Sequence, residues 1–504
     1  MKVLFVHPPH GRFDRFQIPS ITFSIARIPP LGGITLAAYL RKYGHSVKII
    51  DGPRIALQSG NVRAQTYEEL IRQAQIFAPE LVAVTMLTSD VLEAAVTVKS
   101  LKRAIPKAII VAGGPHPSGE PEATLRQIPE LDGIGIGPGE EICLALANGK
   151  PVSEVEGCAY LESGRFVMNP KGKILMDIDS IPFPSWDLID GNFYSELNNS
   201  TTFGVLSRSL GVMTARGCPG NCYFCSSKWN RPIRSHSVEY VLDLCAFLAD
   251  TYPIDTINFF DDTLATREER LADICEGFIR RGLHKRLKWR MMLRADQAKA
   301  DLLRLMKRAN CFYAGFGSES GSDRVLKLLN KGVTVRENII AAEAINQAGL
   351  LFGTSIILGS PGETEADMME TLEYCKRIKS VSIGVGNFCP LPGSPAYSDF
   401  VKTGKIDPQN ADWWALGNFS YFGGKCFANM DAQRYRKLYE RIVGYCVANN
   451  RQASIECDQV LYPEIVALLH PKRRLAKTFA LAKTFTRTVV PDRIRHAVCR
   501  VFGD

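Results

Sequence analysis

The chain has 504 residues, and at roughly 100–200 residues per domain this length predicts two to four domains. Hydrophobic residues make up 46% and charged residues 22% of the sequence, which argues against a disordered chain, a collagen-like fibre and a small disulfide scaffold. The sequence has no apolar run of roughly 18 residues or more, and its N-terminus has no signal-peptide pattern, so we expect a cytoplasmic protein without a membrane-spanning helix.

The formal net charge of +9 is concentrated in a basic C-terminal tail. Residues 471–504 contain nine Lys and Arg and two Asp, a charge of +7 that leaves +2 for the other 470 residues. A nearly neutral body argues against a general nucleic-acid-binding protein. Apolar residues lie among the cations of the tail, and two interpretations stay open: contact with an anionic membrane surface, or a solvated helix that covers the rest of the protein.

The first third of the chain alternates between predicted strands and predicted helices. The strands fall at residues 2–7, 45–51, 80–86, 108–112 and 131–136. The helices fall at residues 31–43, 67–77, 91–104 and directly after Gly137-Pro-Gly-Glu140. Apolar strands that alternate with helices predict a parallel sheet covered on both faces, and such a sheet binds ligands beyond the carboxyl ends of its strands.

Two of these predicted strands end in unusual residues at the ligand-binding edge. One ends at Thr85-Met-Leu87, and the next ends at Gly113-Gly114-Pro-His116. Paired glycines let a flat or bulky ligand approach the backbone, although tight strand-to-helix turns explain the same residues. No G-x-G-x-x-G motif follows the first strand, which argues against a dinucleotide site.

Residues 151–204 are predicted to connect two domains. A hairpin is expected at 158–167 around Ser163-Gly164. Pro182 and Pro184 then hold the chain extended, because proline fixes its own backbone and restricts the residue before it. This composition predicts an ordered linker.

Three cysteines on one loop form the most specific motif of the sequence. Cys218, Cys222 and Cys225 have the spacing C-x3-C-x2-C and follow a predicted strand at 211–215. Three thiolates on a loop can ligate three irons of a [4Fe–4S] cluster and leave the fourth iron open for chemistry. A zinc site is the alternative, with His236 completing a Cys3His set.

The region after the cysteines repeats strand and helix units. Strands are predicted at 256–260, 288–293, 312–317, 351–358 and 381–388, with helices between them. Polar residues recur where these strands end, at Asp261-Asp262, Arg294 and Glu319-Ser320. This is the face on which β/α barrels place their active sites, although each residue also suits the cap of a following helix.

The last hundred residues are less informative. They contain an aromatic cluster of Trp413, Trp414, Phe419, Tyr421 and Phe422. Core packing is the favoured interpretation of this cluster, and a lining of the barrel mouth is the alternative. An amphipathic helix is predicted at 431–449.

The cysteine loop resembles the hallmark of the radical S-adenosylmethionine (SAM) superfamily, and the resemblance extends over about residues 205–400. It implies that Cys218, Cys222 and Cys225 hold the cluster and that the open iron binds the amino and carboxylate groups of SAM. It also implies SAM contacts at Phe224, Asp262, Arg294, Glu319 and Ser320. Asp261-Asp262 departs from the family's usual Gly-Gly-Glu. In this family an electron, from a donor of the flavodoxin or ferredoxin type, cleaves SAM to a 5′-deoxyadenosyl radical.

The first 150 residues resemble the cobalamin-binding domain found before radical SAM domains. Thr85-Met-Leu87 is similar to its Ser-x-Leu element and Gly113-Gly114 to its glycine pair, which lie beside the nucleotide tail of the corrinoid in the family. The sequence lacks the Asp-x-His-x-x-Gly motif that supplies a histidine ligand to cobalt. His7, His10 and His116 are candidates by residue type only, and each is expected to be a turn or surface residue.

These resemblances imply an α/β protein of four parts. We expect a Rossmann-like cobalamin-binding domain at 1–150, a connector at 151–204, a partial (β/α)6 radical SAM barrel at 205–400 and a small, mainly helical C-terminal domain with the basic tail at 401–504. The implied cofactors are a [4Fe–4S] cluster, SAM and cobalamin.

The implied reaction is methylation of an unactivated carbon of a small-molecule or lipid substrate, since many relatives with these two domains do this. Oxidative cyclisation or rearrangement of the anaerobic Mg-protoporphyrin ester cyclase type, without methyl transfer, is the main alternative. A non-catalytic metal or corrinoid carrier and a zinc-stabilised interaction protein are alternatives from other classes.

Overall fold

A computed structural model of the chain describes residues 1–9, 28–196, 207–226, 232–265, 267–416 and 426–461. These residues form two large, mainly parallel sheets that follow each other in the sequence. The basic tail at 471–504 lies outside the described residues, as do His10, Phe419, Tyr421 and Phe422.

The first sheet has seven strands, and its five-stranded part is parallel as predicted. Its strands are β1 (Lys2–His7), β2 (Ser46–Asp51), β3 (Leu81–Thr85), β4 (Ile109–Gly113), β5 (Gly133–Gly135), β6 (Cys158–Glu162) and β7 (Arg165–Met168). Their order is β2-β1-β3-β4-β5-β6-β7, so the direction of winding reverses between β1 and β3. The predicted hairpin of the connector is β6 and β7, and it adds to this sheet through antiparallel pairing of β6 with β5.

Among the described residues, seven helices accompany this sheet: α1 (Leu31–Lys42), α2 (Gly52–Gln58), α3 (Arg63–Phe77), α4 (Val91–Ala104), α5 (Pro115–Gly119), α6 (Pro121–Gln127) and α7 (Glu140–Ala147). The sequence did not predict α2, α5 and α6. Each has seven residues or fewer and carries proline in its first turn, where the missing N–H costs no helical hydrogen bond.

Both faces of the first sheet are buried, as a doubly wound fold requires. Leu4 and Val82 pack in one apolar cluster, whereas their neighbours Phe5 and Leu81 pack in the other. Successive side chains of a strand point to opposite faces, so continuous apolar strands fill two cores.

The second sheet forms the predicted partial (β/α)6 barrel. Its strands are β8 (Ser209–Val212), β11 (Thr256–Phe259), β12 (Lys288–Met292), β13 (Cys311–Glu319), β14 (Leu351–Leu358) and β15 (Ser382–Asn387). All are parallel, in the order β15-β14-β13-β12-β11-β8. A separate antiparallel pair consists of β9 (Ala215–Arg216) and β10 (Arg234–Ser235).

The strand predicted at 211–215 is in fact interrupted between β8 and β9. The backbone N–H groups of Thr214 and Ala215 donate to the carboxylate of Asp261 instead of to a neighbouring strand. A side-chain acceptor that replaces a strand partner ends the ladder, and the sequence pattern gave no sign of it.

The part of the chain described after the first sheet contains the helices α8 (Gly191–Ser195), α9 (Val238–Thr251), α10 (Glu268–Arg280), α11 (Ala300–Arg308), α12 (Asp323–Leu328), α13 (Val335–Gln347), α14 (Glu365–Arg377), α15 (Pro395–Lys402), α16 (Trp413–Leu416) and α17 (Ala432–Leu461). Two of these helices begin with a capping box: α13 with Thr334 and Glu337, and α14 with Thr364 and Asp367. None of the helices named above for the described residues is long and apolar enough to cross a bilayer.

The C-terminal helix α17 covers the free edge of the barrel at β15. Its Tyr435 and Ile442 are buried in the main core. The side-chain amide of Asn450 accepts a hydrogen bond from the Ile383 N–H (2.7 Å) and donates one to the Ile383 carbonyl (2.9 Å). These bonds occupy backbone groups of the edge strand that would otherwise be open to another strand. The helix predicted at 431–449 corresponds to α17, which extends further, to Leu461.

Candidate active site

The cysteine loop begins at a backbone held by two carboxylates. Asp261, which is buried at the end of β11, accepts hydrogen bonds from the Thr214 N–H (2.7 Å) and hydroxyl (3.1 Å). Its neighbour Asp262 accepts one from the Gly217 N–H (3.2 Å). Burial raises the pKa of Asp261 to about 6. The two aspartates thus fix the chain immediately before Cys218.

The middle of the loop is held by the segment after α12. The Tyr223 N–H donates to the Leu329 carbonyl at 2.8 Å, and the Asn330 side chain donates to the Asn221 carbonyl at 2.8 Å. On the other side, the Ala396 N–H donates to the Tyr223 carbonyl at 3.0 Å. These contacts flank the second cysteine and restrict the path of the loop on both sides.

Two of the cysteine sulfurs approach one glycine. A Cβ atom at Gly220 would lie 3.4 Å from the Cys218 Sγ and 3.8 Å from the Cys222 Sγ. The Gly220 N–H also donates to the Cys218 Sγ at 3.4 Å. These two cysteines and Cys225 are half-buried, and none of the three forms a disulfide bond with a described cysteine. Soft thiolates on a preformed, partly exposed loop are suitable donors for an iron–sulfur cluster.

A zinc site is not supported. Within the described ranges, no group of three or more His, Cys, Asp and Glu side chains converges on a single metal-ion position. The Nδ1 of His236 lies 2.9 Å from Asp179, and its ring stacks on Tyr240 with centroids 3.9 Å apart. In a [4Fe–4S] cluster each thiolate binds its own iron, so the cysteines need not meet at one point.

Charged side chains lie beside the loop. Arg294 places its Nη1 3.0 Å from the Cβ position of Gly220 and pairs with Asp296 at 3.2 Å. Glu319, at the end of β13, is buried and has a φ of 61°, a left-handed conformation that costs free energy for a residue with a side chain. Its carboxylate pairs with the Lys331 Nζ at 2.7 Å.

The other two predicted SAM contacts have different surroundings. Ser320 is buried, and its hydroxyl lies 3.1 Å from that of Thr371 on α14 and accepts from the Ser322 N–H. Its side chain is therefore used within the fold. Phe224 is partly buried and packs against an apolar cluster that includes Phe388.

The predicted cobalamin-binding residues share the ligand-binding edge of the first sheet. Thr85 and Gly113 are paired across β3 and β4. Gly114 has a φ of 105°, and a Cβ there would lie 3.0 Å from the Met86 carbonyl oxygen and 3.3 Å from the Thr85 Oγ1. Thr85 and Leu87 are exposed, whereas Met86 between them is buried. A glycine in a conformation that residues with a Cβ rarely adopt, beside the exposed Thr85 and Leu87, fits close approach of a large ligand.

Neither described histidine candidate is a free surface residue, contrary to expectation. His116 is fully buried: its Nδ1 lies 3.2 Å from the Thr88 hydroxyl, and its ring packs edge-on against Trp413 with centroids 4.7 Å apart. This burial lowers the pKa of His116 to about 4. His7 is partly buried, with its Nδ1 3.2 Å from Asp51. Helix α5 begins directly after Gly114, and the sequence did not predict this helix. His116 lies in α5 and not in a surface turn.

A buried ion pair joins the two units. Glu140, the last residue of Gly137-Pro-Gly-Glu140, contacts Arg216 on β9 at 2.5 Å, and their side chains are 3% and 14% exposed. Arg216 lies two residues before Cys218. Nearby, Gly119 packs so closely on Gly393 that a Cβ at Gly119 would lie 2.6 Å from the Gly393 N. The edge of the first sheet that is predicted to bind cobalamin and the cysteine loop therefore meet at one interface.

Sequence reasoning missed both Glu140–Arg216 and Lys331 as site residues. Each acts through a partner distant in sequence, which local spacing does not reveal. The signal for Glu140 was its place in a glycine-rich stretch after a strand. The signal for Lys331 was its place in Asn330-Lys-Gly332, which belongs to the stretch from Phe316 onward that resembles the radical SAM family.

The sequence matches two protein families. Residues 212–375 match the family described as the Radical SAM superfamily, and residues 26–147 match the family described as the B12 binding domain. An uncharacterized methyltransferase of Pyrococcus horikoshii is 33% identical over 400 residues, which cover 78% of this chain and 82% of that protein.

A second relative and a solved structure extend the comparison. An anaerobic magnesium-protoporphyrin IX monomethyl ester cyclase of Cereibacter sphaeroides is 26% identical over 414 residues, covering 79% of this chain and 63% of the cyclase. The cobalamin-dependent S-adenosylmethionine radical enzyme OxsB, solved with aqua-cobalamin and S-adenosylmethionine bound, has a TM-score of 0.66 at 17% identity and covers 100% of this chain and 81% of its own. At this identity the likeness shows a shared fold.

Replacing Glu140 by alanine removes the partner of Arg216 inside the interface. We expect the free energy of unfolding to fall by about 3 kcal/mol, because a buried guanidinium loses its counter-charge. Urea unfolding of the metal-free chain measures this change. Glu122→Ala is the matched control: Glu122 also lies in a first helical turn, but its ion pair with Arg126 is exposed, so we expect a loss of at most about 0.5 kcal/mol. Equal losses in the two variants would contradict the assigned role of the Glu140–Arg216 pair.

Proposed function

The chain belongs to the radical SAM enzymes that carry a B12-binding domain, and from this premise we propose that it methylates an unactivated carbon of a small-molecule substrate. The observation that carries the proposal is the interface at Glu140 and Arg216, which brings the cobalamin-binding edge next to the cysteine loop. Methylation of an unactivated carbon needs a radical generator and a methyl carrier beside the same substrate.

A [4Fe–4S] cluster, SAM and cobalamin are the cofactors of this enzyme. We propose that the cluster is held by Cys218, Cys222 and Cys225. We propose that SAM is contacted by Phe224, Asp262, Arg294, Glu319 and Ser320. We propose that cobalamin is contacted by Thr85, Leu87, Gly113 and Gly114. When bound, the cluster and SAM supply one-electron radical chemistry, and cobalamin supplies the methyl group.

The chain's own residues position these groups. Asp261 and Asp262 hold the start of the cysteine loop through three backbone N–H groups. The guanidinium of Arg294 can form a bidentate pair with the carboxylate of SAM. The hydroxyl of Ser320 contacts that of Thr371, and its N–H donates to the Ser318 carbonyl at 2.8 Å, so Ser320 fixes the turn that follows Glu319.

We propose the domain limits that the sequence suggests. Residues 1–150 form the cobalamin-binding domain, 151–204 the connector, 205–400 the radical SAM barrel and 401–504 the C-terminal part. The pairing of β5 with β6 supports a connector that packs against the first domain, because the hairpin of the connector adds two strands to the first sheet.

Oxidative cyclisation without methyl transfer is the second candidate, and the 26% identity with the cyclase favours it specifically. The two reactions differ in the fate of the SAM methyl group. Methyl transfer moves this group to the corrinoid and then to the product, whereas cyclisation does not consume it.

The anaerobically reconstituted chain, incubated with cobalamin, dithionite and SAM labelled in its methyl group, distinguishes these reactions. We expect release of 5′-deoxyadenosine and label on the bound corrinoid. An unlabelled corrinoid together with 5′-deoxyadenosine would favour cyclisation, and absence of both would favour a non-catalytic carrier. Cys222→Ala should lose the visible absorption of the cluster and release no 5′-deoxyadenosine. Cys426→Ala, which removes a half-buried thiol outside the loop, should retain both.

We also propose a cytoplasmic location with peripheral membrane contact through residues 471–504, supported by their charge of +7 and the apolar residues among them. A lipid or other hydrophobic substrate would suit such a location. Deleting 471–504 is expected to lower binding to vesicles that contain phosphatidylglycerol and to leave the weak binding to phosphatidylcholine vesicles unchanged. Undiminished binding to the anionic vesicles would overturn this proposal.

A further inference from the structure

Lys331 is a buried cation that belongs to none of the predicted sites. Its side chain is 15% exposed, and its Nζ lies 2.7 Å from the Glu319 Oε1, whose side chain is 8% exposed. A charge in such surroundings loses most of its hydration and requires a partner, which Glu319 provides. The pair thus places one positive and one negative charge at the end of β13.

The position of Lys331 is fixed relative to the cysteine loop. The two residues before it, Leu329 and Asn330, make the hydrogen bonds that hold Tyr223 and Asn221. These two loop residues flank Cys222. Lys331 therefore comes directly after the two residues whose hydrogen bonds hold the backbone on either side of this cysteine. The residue after Lys331, Gly332, is close to the same loop: a Cβ there would lie 3.9 Å from the Nη2 of Arg294, whose Nη1 lies 3.0 Å from the Cβ position of Gly220.

Arg294 and Lys331 lie in different surroundings beside the loop. The guanidinium of Arg294 is next to Gly220 and bonds the exposed Asp296. Lys331 bonds the buried Glu319 instead. A planar fork suits a carboxylate of a substrate, whereas a compact ammonium acts as a point charge. The two cations are therefore suited to different tasks.

The effect of Lys331 on the reduction of the cluster depends on the charge of a cluster held by three thiolates. Such a cluster is negatively charged, and one-electron reduction makes it more negative. Nearby positive charge favours the reduced form, and nearby negative charge disfavours it, more strongly where water is excluded. Lys331 and Glu319 therefore act on the reduction in opposite directions.

We propose that Lys331 is a positioning residue. Its ammonium group holds the carboxylate of Glu319, whose backbone is in the left-handed conformation, and its positive charge stabilises the reduced cluster. Removing the charge of Lys331 makes the midpoint potential of the cluster more negative, and removing that of Glu319 makes it more positive. This inference rests on the proposed function, because it requires a cluster at the three cysteines.

A redox titration of the reconstituted full chain with dithionite, monitored by electron paramagnetic resonance (EPR) in the absence of SAM, tests the proposal. Lys331→Met should shift the midpoint potential negative, Glu319→Gln should shift it positive, and Lys331→Arg should restore the wild-type potential. Lys327→Met is the matched control, since Lys327 is an exposed lysine four residues earlier, and it should leave the potential unchanged.

Iron and sulfide contents separate the possible failures. A wild-type chain without a cluster contradicts the proposed function itself. Clusters in all variants with equal midpoint potentials overturn only the assignment of Lys331. Shifts of the same sign in Lys331→Met and Glu319→Gln also overturn it, because a general structural disturbance would act in this way. If Lys331→Met holds no cluster, the test rests on Glu319→Gln alone. A positive shift of its midpoint potential supports the proposal, and an unchanged midpoint potential overturns it.

Discussion

The site depends on how the backbone around the cysteines is held. A loop that offers three thiolates has to keep them in place before any cluster binds, and its own N–H groups need acceptors. Asp261 and Asp262 supply these acceptors at the start of the loop, and Leu329 and Asn330 hold its middle. The acceptors lie at the carboxyl ends of barrel strands or in the loops that follow, so the barrel itself fixes the geometry of the thiolates.

The second requirement is that the two sheets present their ligand edges to each other. The buried pair of Glu140 and Arg216 lies at this junction, together with the close contact of Gly119 and Gly393. A buried ion pair contributes little net stability, because both charges lose their hydration. It does, however, disfavour arrangements in which either charge is left unpaired. The pair is therefore best understood as a device that selects one relative orientation of the two edges.

The architecture could be predicted because its signals are local. Apolar strands alternating with helices indicate a parallel sheet, and the spacing of Cys218, Cys222 and Cys225 indicates a cluster loop. What was missed depends on contacts between distant residues. The interruption after β8 needs the carboxylate of Asp261, and the burial of His116 needs Trp413 nearly 300 residues later in the chain. No pattern within a short window contains such information.

The central claim is that three thiolates hold a [4Fe–4S] cluster whose fourth iron is open to SAM. The EPR spectrum of the reduced, reconstituted chain, recorded with and without SAM, tests this claim most directly. The account predicts about four iron and four sulfide per chain and a spectrum that changes when SAM binds to the open iron. A spectrum that SAM leaves unchanged would indicate a fourth protein ligand at the cluster and would contradict the account.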